Sequence, residues 1–215
     1  MIRPHGGGIL KPLFIEDSEE RNRLIEESGS FPDLLLNSAA AANAVMLGAG
    51  YFSPLDGYMN LADTLSVAEN MKTNNGLFWP VPCVNRTDDI SRIEGSSVIA
   101  LRDPNVTGNP VLAIQNIEAI ETLDVEKINH ITKQIFGTLD IDHPGVKTFK
   151  NSGKYLISGP IRVLNYSYFK SEFSDTFRTA MEIRNQIQKN NWKTVVAFQT
   201  RNPMHRAHEE LCKIA

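Results

Sequence analysis

A change of pattern near Asn165 divides this chain of 215 residues into two parts. Before it, combinations of Pro, Gly, Asn and Asp recur at short intervals and separate apolar runs of strand length. These combinations favour turns, because Pro presets φ and Gly or Asn tolerates a positive φ. Short strands between regularly spaced turns are typical of a small barrel or sandwich. The first part is therefore predicted to be a mixed, β-rich domain.

Two helices and three strands are predicted inside this first part. The helices lie near Leu61–Lys72 and Val125–Phe136. In the second of them, Ile128, Ile131 and Ile135 share one face, because they are three and four residues apart. The predicted strands are the runs Leu77–Val81, Ser97–Leu101 and Pro110–Ile114.

Turn signals and isolated histidines complete the interpretation of the first part. Ser53–Gly57 and His143–Gly145 both combine Pro with Gly, so each is interpreted as a turn and not as a ligand-binding segment. We expect a structural role for the single histidine in the second of these turns. His5 and His130 belong to no motif, and we expect neither side chain to have a partner.

The second part alternates helical and strand patterns. Asp175 can cap a helix that runs to about Lys189. Thr194–Phe198 is a continuous β-branched and aromatic run, which is typical of a strand buried on both faces of a parallel sheet. Pro203 suits the first position of a new helix, which Met204–Ala215 continues. This order of elements is the opening of a doubly wound α/β domain, in which ligands bind beyond the carboxyl ends of the strands.

The end of the second part lacks the signals that complete such a domain. One strand cannot form a parallel sheet by itself, and no Gly, Asn or Pro follows the last predicted helix to end it. We therefore interpret the sequence as a fragment that breaks off inside its second domain. The predicted division is a β-rich domain over residues 1–167 and an incomplete α/β domain over residues 168–215.

The overall composition excludes several classes of protein. Lys and Arg number 22 and Asp and Glu number 25, which gives a formal net charge of −3, and apolar residues make up 41% of the chain. These are ordinary values for a globular protein, so collagen, a disordered tail and a strongly basic nucleic-acid binder are excluded. We accordingly predict no nucleic-acid partner.

Membrane and export signals are missing from the sequence pattern. The most apolar stretch, Asn37–Phe52, falls short of the roughly 20 apolar residues that a spanning helix needs. Gly and Pro occur near the N-terminus, where a signal peptide has its apolar run. Cys83 and Cys212 are far apart in the sequence, so we expect two free and partly buried thiols. The sequence thus predicts a cytoplasmic protein without a membrane partner.

The segment Gln199–His208 carries the strongest chemical signal, because it links the predicted strand to the next helix. The first backbone N–H groups of a helix are unpaired, and the helix dipole favours anions at that end. Arg201 can bind a phosphate or sulfate through two parallel hydrogen bonds. Gln199, Thr200 and Asn202 add neutral hydrogen-bonding groups beside it.

Two histidines follow in the same segment. His205 and His208 are three residues apart, so we expect both side chains on one face of the helix. Nearly all these polar groups can donate to an oxyanion, and none belongs to a nucleophile triad. A surface arginine with a plain helix start is one alternative, and a zinc-binding histidine pair is another, although two further zinc ligands are not visible nearby. From the residues alone we predict an oxyanion or nucleotide-phosphate site.

The same segment matches the Gln-x-Arg-Asn-x-x-His-x-x-His signature of ATP sulfurylase (sulfate adenylyltransferase), and the resemblance covers the whole chain. The stretch Gly48–Met59 resembles the family's Gly-x-Phe/Tyr-Ser-Pro-Leu-x-Gly-Phe-Met segment. Three other stretches have counterparts in the family, namely His143–Val146, Ile157–Pro160 and Asp175–Arg184. The sequence is most similar to the enzymes of sulfur-oxidising bacteria.

This resemblance implies a fold and a reaction. The fold would be α+β, with a PUA-like β-rich barrel followed by the start of a Rossmann-like α/β nucleotidyltransferase domain, truncated here. The reaction would convert ATP and sulfate into adenosine 5′-phosphosulfate and pyrophosphate, by in-line attack of a sulfate oxygen on the α-phosphorus, and sulfur oxidation would use the reverse direction. Mg²⁺ would enter as MgATP, with no metal bound by the protein itself. The complete enzyme would be a homo-oligomer.

The resemblance also implies a role for each signature residue. Gln199 and Arg201 would bind sulfate, while His205 and His208 would face the phosphates and stabilise the transition state. The implied ATP-binding residues are Gln199, Thr200, Arg201, Asn202, His205 and His208, and the implied catalytic residues are the same set without Gln199. Members of the family continue well beyond this length, so we expect the chain to hold half of the active site and to be inactive alone.

Two other interpretations remain open at the level of sequence. An adenylyltransferase for another acceptor, such as phosphopantetheine or a nicotinamide nucleotide, uses a similar His-x-x-His helix. The β-rich first part, and Gln199 together with Arg201, argue against it. A PUA-like binding module with a vestigial catalytic segment is the other interpretation. The net charge of −3 and the lack of a basic stripe with interleaved aromatics argue against RNA binding by such a module.

Overall fold

In the computed structural model, which describes residues 3–200 and 203–214, seven strands pair into one mixed sheet and eight α-helices accompany it. The strands are β1 (Asp33–Leu35), β2 (Gly57–Tyr58), β3 (Arg86–Thr87), β4 (Val98–Arg102), β5 (Val111–Asn116), β6 (Ala119–Thr122) and β7 (Tyr155–Val163). The helices are α1 (Ser18–Glu27), α2 (Ser38–Gly48), α3 (Leu61–Asn70), α4 (Val125–Phe136), α5 (Pro144–Lys150), α6 (Phe169–Glu172), α7 (Ala180–Lys189) and α8 (Arg206–Ile214).

Strand β7 holds the sheet together, because it pairs with four other strands. The main path of the sheet is β1-β4-β5-β7-β2, and β3 and β6 also pair with β7. The first half of β7 contacts β3 and β6, whereas its second half contacts β2 and β5, always antiparallel. Strand β1 runs parallel to β4. A strand that exchanges neighbours halfway along its length curls the sheet. The predicted mixed domain with a sheet is confirmed, but it is not β-rich, because its five α-helices, α1 to α5, hold more residues than its seven strands.

The most apolar stretch of the sequence forms helix α2, which is buried against this sheet. The side chain of Asn37 accepts the backbone N–H of Ala40 at 2.9 Å and caps the helix. Small residues allow a close approach, since a Cβ atom at Gly48 would lie 2.7 Å from Cγ1 of Val163. Within the described part of the chain, no helix combines the length and the apolar character needed to cross a membrane.

Helix α4 has the bounds that its periodicity predicts. Asp124 accepts the backbone N–H of Lys127 at 2.7 Å at its start, and Gly137 ends it in the left-handed conformation with φ +70°. Ile131 is fully buried between α4 and the sheet. The other predicted helix, α3, ends at Asn70 because the next residue adopts a left-handed conformation.

Two of the three predicted strands are confirmed, as β4 and β5, with bounds shifted by one or two residues. The third prediction, Leu77–Val81, is wrong. Among the described residues, this segment belongs to no strand and takes part in an isolated bridge between Phe78 and Lys72. Pro80 has no N–H to donate to a neighbouring strand, which explains why no ladder forms there.

The structural role expected for His143 is confirmed, whereas the turn predicted there and the lack of partners for His5 and His130 are wrong. His143 does not sit in a plain turn, because its Nδ1 accepts the backbone N–H of Val146 at 3.3 Å and caps helix α5. His5 pairs through Nε2 with the carbonyl oxygen of Phe78 at 2.7 Å. The Nε2 atom of His130 lies 2.7 Å from a carboxylate oxygen of Glu69 on helix α3. The last two partners are distant in sequence, so local patterns could not reveal them.

The second part begins its long helix later than predicted. Thr179, and not Asp175, is the cap of helix α7. The Thr179 hydroxyl accepts the backbone N–H of Glu182 at 3.2 Å, and the Glu182 carboxylate accepts the backbone N–H of Thr179 at 2.7 Å. This reciprocal capping box satisfies two donors at once, which a single aspartate cannot do.

The predicted strand Thr194–Phe198 has no strand structure in the described chain. Its Val195 and Val196 side chains are more than half exposed. A strand needs a hydrogen-bonding neighbour, and none of the seven described strands pairs with this segment. The prediction of a buried strand is therefore wrong for this chain. Helix α8 also starts later than predicted, at Arg206 and not at Pro203.

Candidate functional site

The predicted site residues lie around the start of helix α8. Gln199 is exposed in the irregular segment that precedes the helix, and Thr200 follows it. Arg201 and Asn202 lie outside the described residues. His205 directly precedes α8, and His208 is in its first turn. The fold thus keeps the described signature residues next to a helix N-terminus, where anions are favoured.

The two histidines of the signature contact each other. Their rings stack with centroids 3.8 Å apart and planes inclined by 28°. The Nδ1 atom of His208 accepts the backbone N–H of His205 at 3.4 Å. Because Nδ1 accepts this bond, the neutral ring carries its proton on Nε2, from which it can donate to an anion.

Helix α8 is tied to the segment before it in two ways. The carbonyl oxygen of His205 accepts the backbone N–H groups of His208 at 2.9 Å and Glu209 at 3.1 Å, which starts the helix. The ring of Phe198 lies 5.5 Å from that of His208. The Phe198 contact places the residue just before the signature beside the histidine pair.

Three charged side chains of helix α8 lie close together. Lys213 lies 2.8 Å from the Glu209 carboxylate and 3.0 Å from that of Glu210. Hydrogen bonds to Glu209 and then Glu210 raise the pKa of Lys213. The acidic side chains of α8 are thereby paired with a cation of the same helix. In the residues that the structure describes, no three His, Cys, Asp or Glu side chains gather closely enough to hold a metal ion.

The two cysteines differ in their surroundings. Cys83 is buried in the core of the first part and Cys212 is exposed on helix α8, and both are free thiols. The prediction of two free thiols is confirmed, while the expected partial burial applies to neither of them.

One charged residue that no sequence motif marks is buried in the first part. Arg86 of β3 is only 3% exposed and lines a cavity together with residues from three helices. Its neighbours come from distant segments of the chain. In the sequence, Arg86 stands two residues after an apolar stretch, a pattern that is too common to indicate a site.

Two family models match this chain. The model described as PUA-like domain matches residues 2–166, and the model described as ATP-sulfurylase matches residues 174–215. Curated relatives named sulfate adenylyltransferase are similar over the full 215 residues, at 55% identity in Allochromatium vinosum and 53% in Alcanivorax borkumensis. The chain spans about half of these relatives, 54% of the length of each. These matches confirm the resemblance to ATP sulfurylase.

Among solved structures, the chain is similar to one titled hexameric APS kinase from Thiobacillus denitrificans. The TM-score is 0.73 at 27% identity, and the match covers all of this chain and 37% of the other. Because the first model covers more than half of the residues, this chain belongs to the PUA-like domain family.

Proposed function

We propose that this chain is the sulfate-binding half of a sulfate adenylyltransferase, which joins sulfate to the adenylyl group of ATP and releases pyrophosphate. The observation that carries the proposal is the complete ten-residue signature Gln199–His208 at the start of helix α8. The similarity to sulfate adenylyltransferases over the whole chain supports it.

The proposed chemistry needs positioning and charge stabilisation more than a nucleophile from the protein. A sulfate oxygen attacks the α-phosphorus, the bond to the bridging oxygen breaks, and pyrophosphate leaves in line with the attack. Gln199 and Arg201 hold the sulfate, while Thr200 and Asn202 contact the nucleotide. His205 and His208 face the phosphates, and the Nε2 proton of His208 stabilises the negative charge that develops on them.

Several properties of the complete enzyme belong to the same proposal. Mg²⁺ arrives as part of the MgATP substrate, and the use of ATP places the reaction in the cytoplasm. The complete enzyme is a homo-oligomer, to which the hexameric structural neighbour lends support. Residues 1–167 form the PUA-like domain and residues 168–215 open a Rossmann-like domain, in which Thr194–Phe198 becomes a strand once it has strands to pair with.

The proposal is tested on the complete gene product by sulfate-dependent release of pyrophosphate from MgATP. We expect Arg201→Ala to lower kcat/KM by about 100-fold or more, because it removes the main oxyanion donor. Lys213→Ala is the matched control on helix α8. Its side chain contacts only Glu209 and Glu210 in the described chain, so activity should stay within about twofold of wild type.

Two outcomes would contradict this assignment. Near-normal kcat/KM in Arg201→Ala would show that the signature arginine does not bind the reacting anion. Release of pyrophosphate with phosphopantetheine or a nicotinamide nucleotide, but not with sulfate, would show that the enzyme adenylylates another acceptor.

A further inference from the structure

A cavity of about 390 Å³ opens between helix α2, the end of helix α4 and helix α5. Its walls are mostly apolar, with Val81, Val84, Ile135 and Phe136 among them. A volume of this size lies in the range of small-molecule sites. The cavity belongs to the PUA-like domain, and the described residues of the signature do not line it.

Arg86 is the one charged residue among the described residues that line this cavity. It is 3% exposed, and its guanidinium donates to the carbonyl oxygen of Phe149 at 2.8 Å and to that of Gly153. The guanidinium carbon also lies 4.7 Å from the centre of the Phe149 ring. The Nε–H group is buried and has no hydrogen-bond partner in the described chain. The carbonyl contacts thus orient the side chain without neutralising its charge.

The positive charge of Arg86 has no close counter-ion in the described chain. Buried charges are costly unless an opposite charge or a full set of hydrogen bonds compensates them. None of the ion pairs between described residues, taken to 4.0 Å, includes Arg86. The Asp88 carboxylate accepts the backbone N–H of Lys154 at 3.1 Å. Burial lowers the pKa of Arg86 to about 10, and the charge of Asp88 acts in the opposite direction.

A helix N-terminus adds positive potential to the same cavity. Asn37, which caps helix α2, and Ala39, in its first turn, both line the cavity. The partial positive charge at this end of the helix therefore faces the same space as Arg86. Asn43 and Thr148 add polar side chains to the lining, and no described lining residue is acidic.

We propose that this cavity binds a small organic monoanion with an apolar body, such as an aromatic carboxylate. The carboxylate lies between Arg86 and the N-terminus of helix α2, and the ring packs against Val84, Ile135 and Phe136. A single cation matches a single negative charge. Because two carbonyl groups already use part of the guanidinium, the remaining donors suit one carboxylate better than a phosphate dianion. This inference does not depend on the proposed adenylyltransferase activity.

The test is calorimetric titration of the purified chain with benzoate and, separately, with benzamide, a neutral molecule of almost the same shape. We expect saturable binding of benzoate, about 10-fold or more tighter than that of benzamide. NMR of nitrogen-labelled protein reports the contact directly. The Nε–H resonance of Arg86 should move with benzoate and not with benzamide. This readout leaves Arg86 unchanged, which matters because its substitution would also free two buried carbonyl groups.

Two tryptophan variants on helix α2 locate the binding. Ala39 is exposed at the edge of the cavity, so Ala39→Trp should obstruct it and weaken benzoate binding about 10-fold or more. Ala42 is also exposed on α2 but does not line the cavity, so Ala42→Trp should bind benzoate like the parent chain. Three results would each overturn the proposal. They are equal affinity for benzoate and benzamide, equal effects of the two tryptophan substitutions on benzoate binding, and no saturable benzoate binding up to about 10 mM.

Discussion

Two ionisable side chains, those of Tyr58 and Cys83, are buried close together in the core of the PUA-like domain. Tyr58 donates its hydroxyl to the carbonyl oxygen of Ala40 at 2.8 Å, and Cys83 is a free thiol that is 2% exposed. Burial raises the pKa of Cys83 to about 12. Burial, and then the charge of Cys83, raise the pKa of Tyr58 well above its ordinary value. Both groups therefore stay protonated in the folded chain at pH values where the unfolded chain ionises.

We expect the free energy of unfolding to fall as the pH rises above about 9, the ordinary value for a thiol. Between about 9 and about 12 the unfolded state releases the Cys83 proton while the folded state keeps it, so rising pH favours unfolding. One such group contributes a slope of at most about 1.4 kcal/mol per pH unit. Urea unfolding at several pH values in this range measures that slope.

The matched variants separate the contribution of Cys83 from all others. Cys83→Ala should show a shallower fall with pH than the wild type, because the buried thiol is removed. Cys212→Ala, which removes an exposed thiol, should follow the wild type. If all three proteins had the same slope, titration of Cys83 would not contribute to alkaline unfolding.

At the scale of one element, the start of helix α7 illustrates how a cap is chosen. Asp175 and Thr179 are both residue types that cap helices well. Thr179 is followed three residues later by Glu182, and the two side chains satisfy each other's backbone N–H groups. The Glu182 pKa is lowered mainly by the backbone N–H of Thr179, with burial opposing this effect. Thr179 therefore caps the helix in place of Asp175, because Glu182 completes a capping box with Thr179.

We predict that Thr179→Ala destabilises helix α7 by about 1 kcal/mol, because it removes one side of the capping box. Amide hydrogen exchange in the first two turns of α7 should quicken accordingly. Asp175→Ala is the control, since in the described chain the Asp175 side chain meets only the hydroxyl of Ser174, at 3.5 Å. Faster exchange in Asp175→Ala than in Thr179→Ala would mean that the helix starts at the earlier residue.

The whole molecule depends on the point where β7 exchanges its neighbours. Gly159 lies at this point with φ +132°, a conformation that residues with a side chain rarely adopt. A Cβ atom there would lie 2.1 Å from the carbonyl oxygen of Asn116. On the other side, β2 approaches so closely that a Cβ atom at Gly57 would lie 2.1 Å from the carbonyl oxygen of Gly159. The curled sheet therefore requires glycine at both positions.

Gly159→Ala should lower the free energy of unfolding by about 3 kcal/mol or more. The alanine would adopt a strained φ, and its Cβ atom would clash with the backbone where β7 exchanges its neighbouring strands. Gly29→Ala is the control, because a Cβ atom at Gly29 would meet no atom of the described residues within 4 Å. Thermal unfolding of the two variants measures the difference. A wild-type melting temperature in Gly159→Ala would contradict the packing at this crossing.

The second part is anchored to the PUA-like domain through a few specific contacts. The backbone N–H of Ala180 donates to the carbonyl oxygen of Ala49 at 2.9 Å, and the Tyr51 hydroxyl donates to that of Arg178 at 2.7 Å. The ring of Phe177 lies 5.3 Å from that of Tyr166. These contacts fix where helix α7 leaves the sheet domain, a relation that no local pattern encodes.

The sequence by itself determined what depends on neighbours along the chain. Helix α4 follows from its periodicity and its Asp124 and Gly137 ends, because capping and amphipathic spacing are local properties. The signature Gln199–His208 is likewise a local pattern, so the resemblance to ATP sulfurylase needed no structure.

Only the tertiary structure decided the features that depend on distant partners. The pairing of His130 with Glu69 joins two helices far apart in sequence, and the surroundings of Arg86 come from several elements. Thr194–Phe198 also depends on distant partners, which the described chain does not supply. It has strand propensity, but the described chain supplies no strand to pair with it, and its side chains stay exposed. The strand propensity of these residues favours a strand, but the strand forms only if it has hydrogen bonds to a neighbouring strand and is buried.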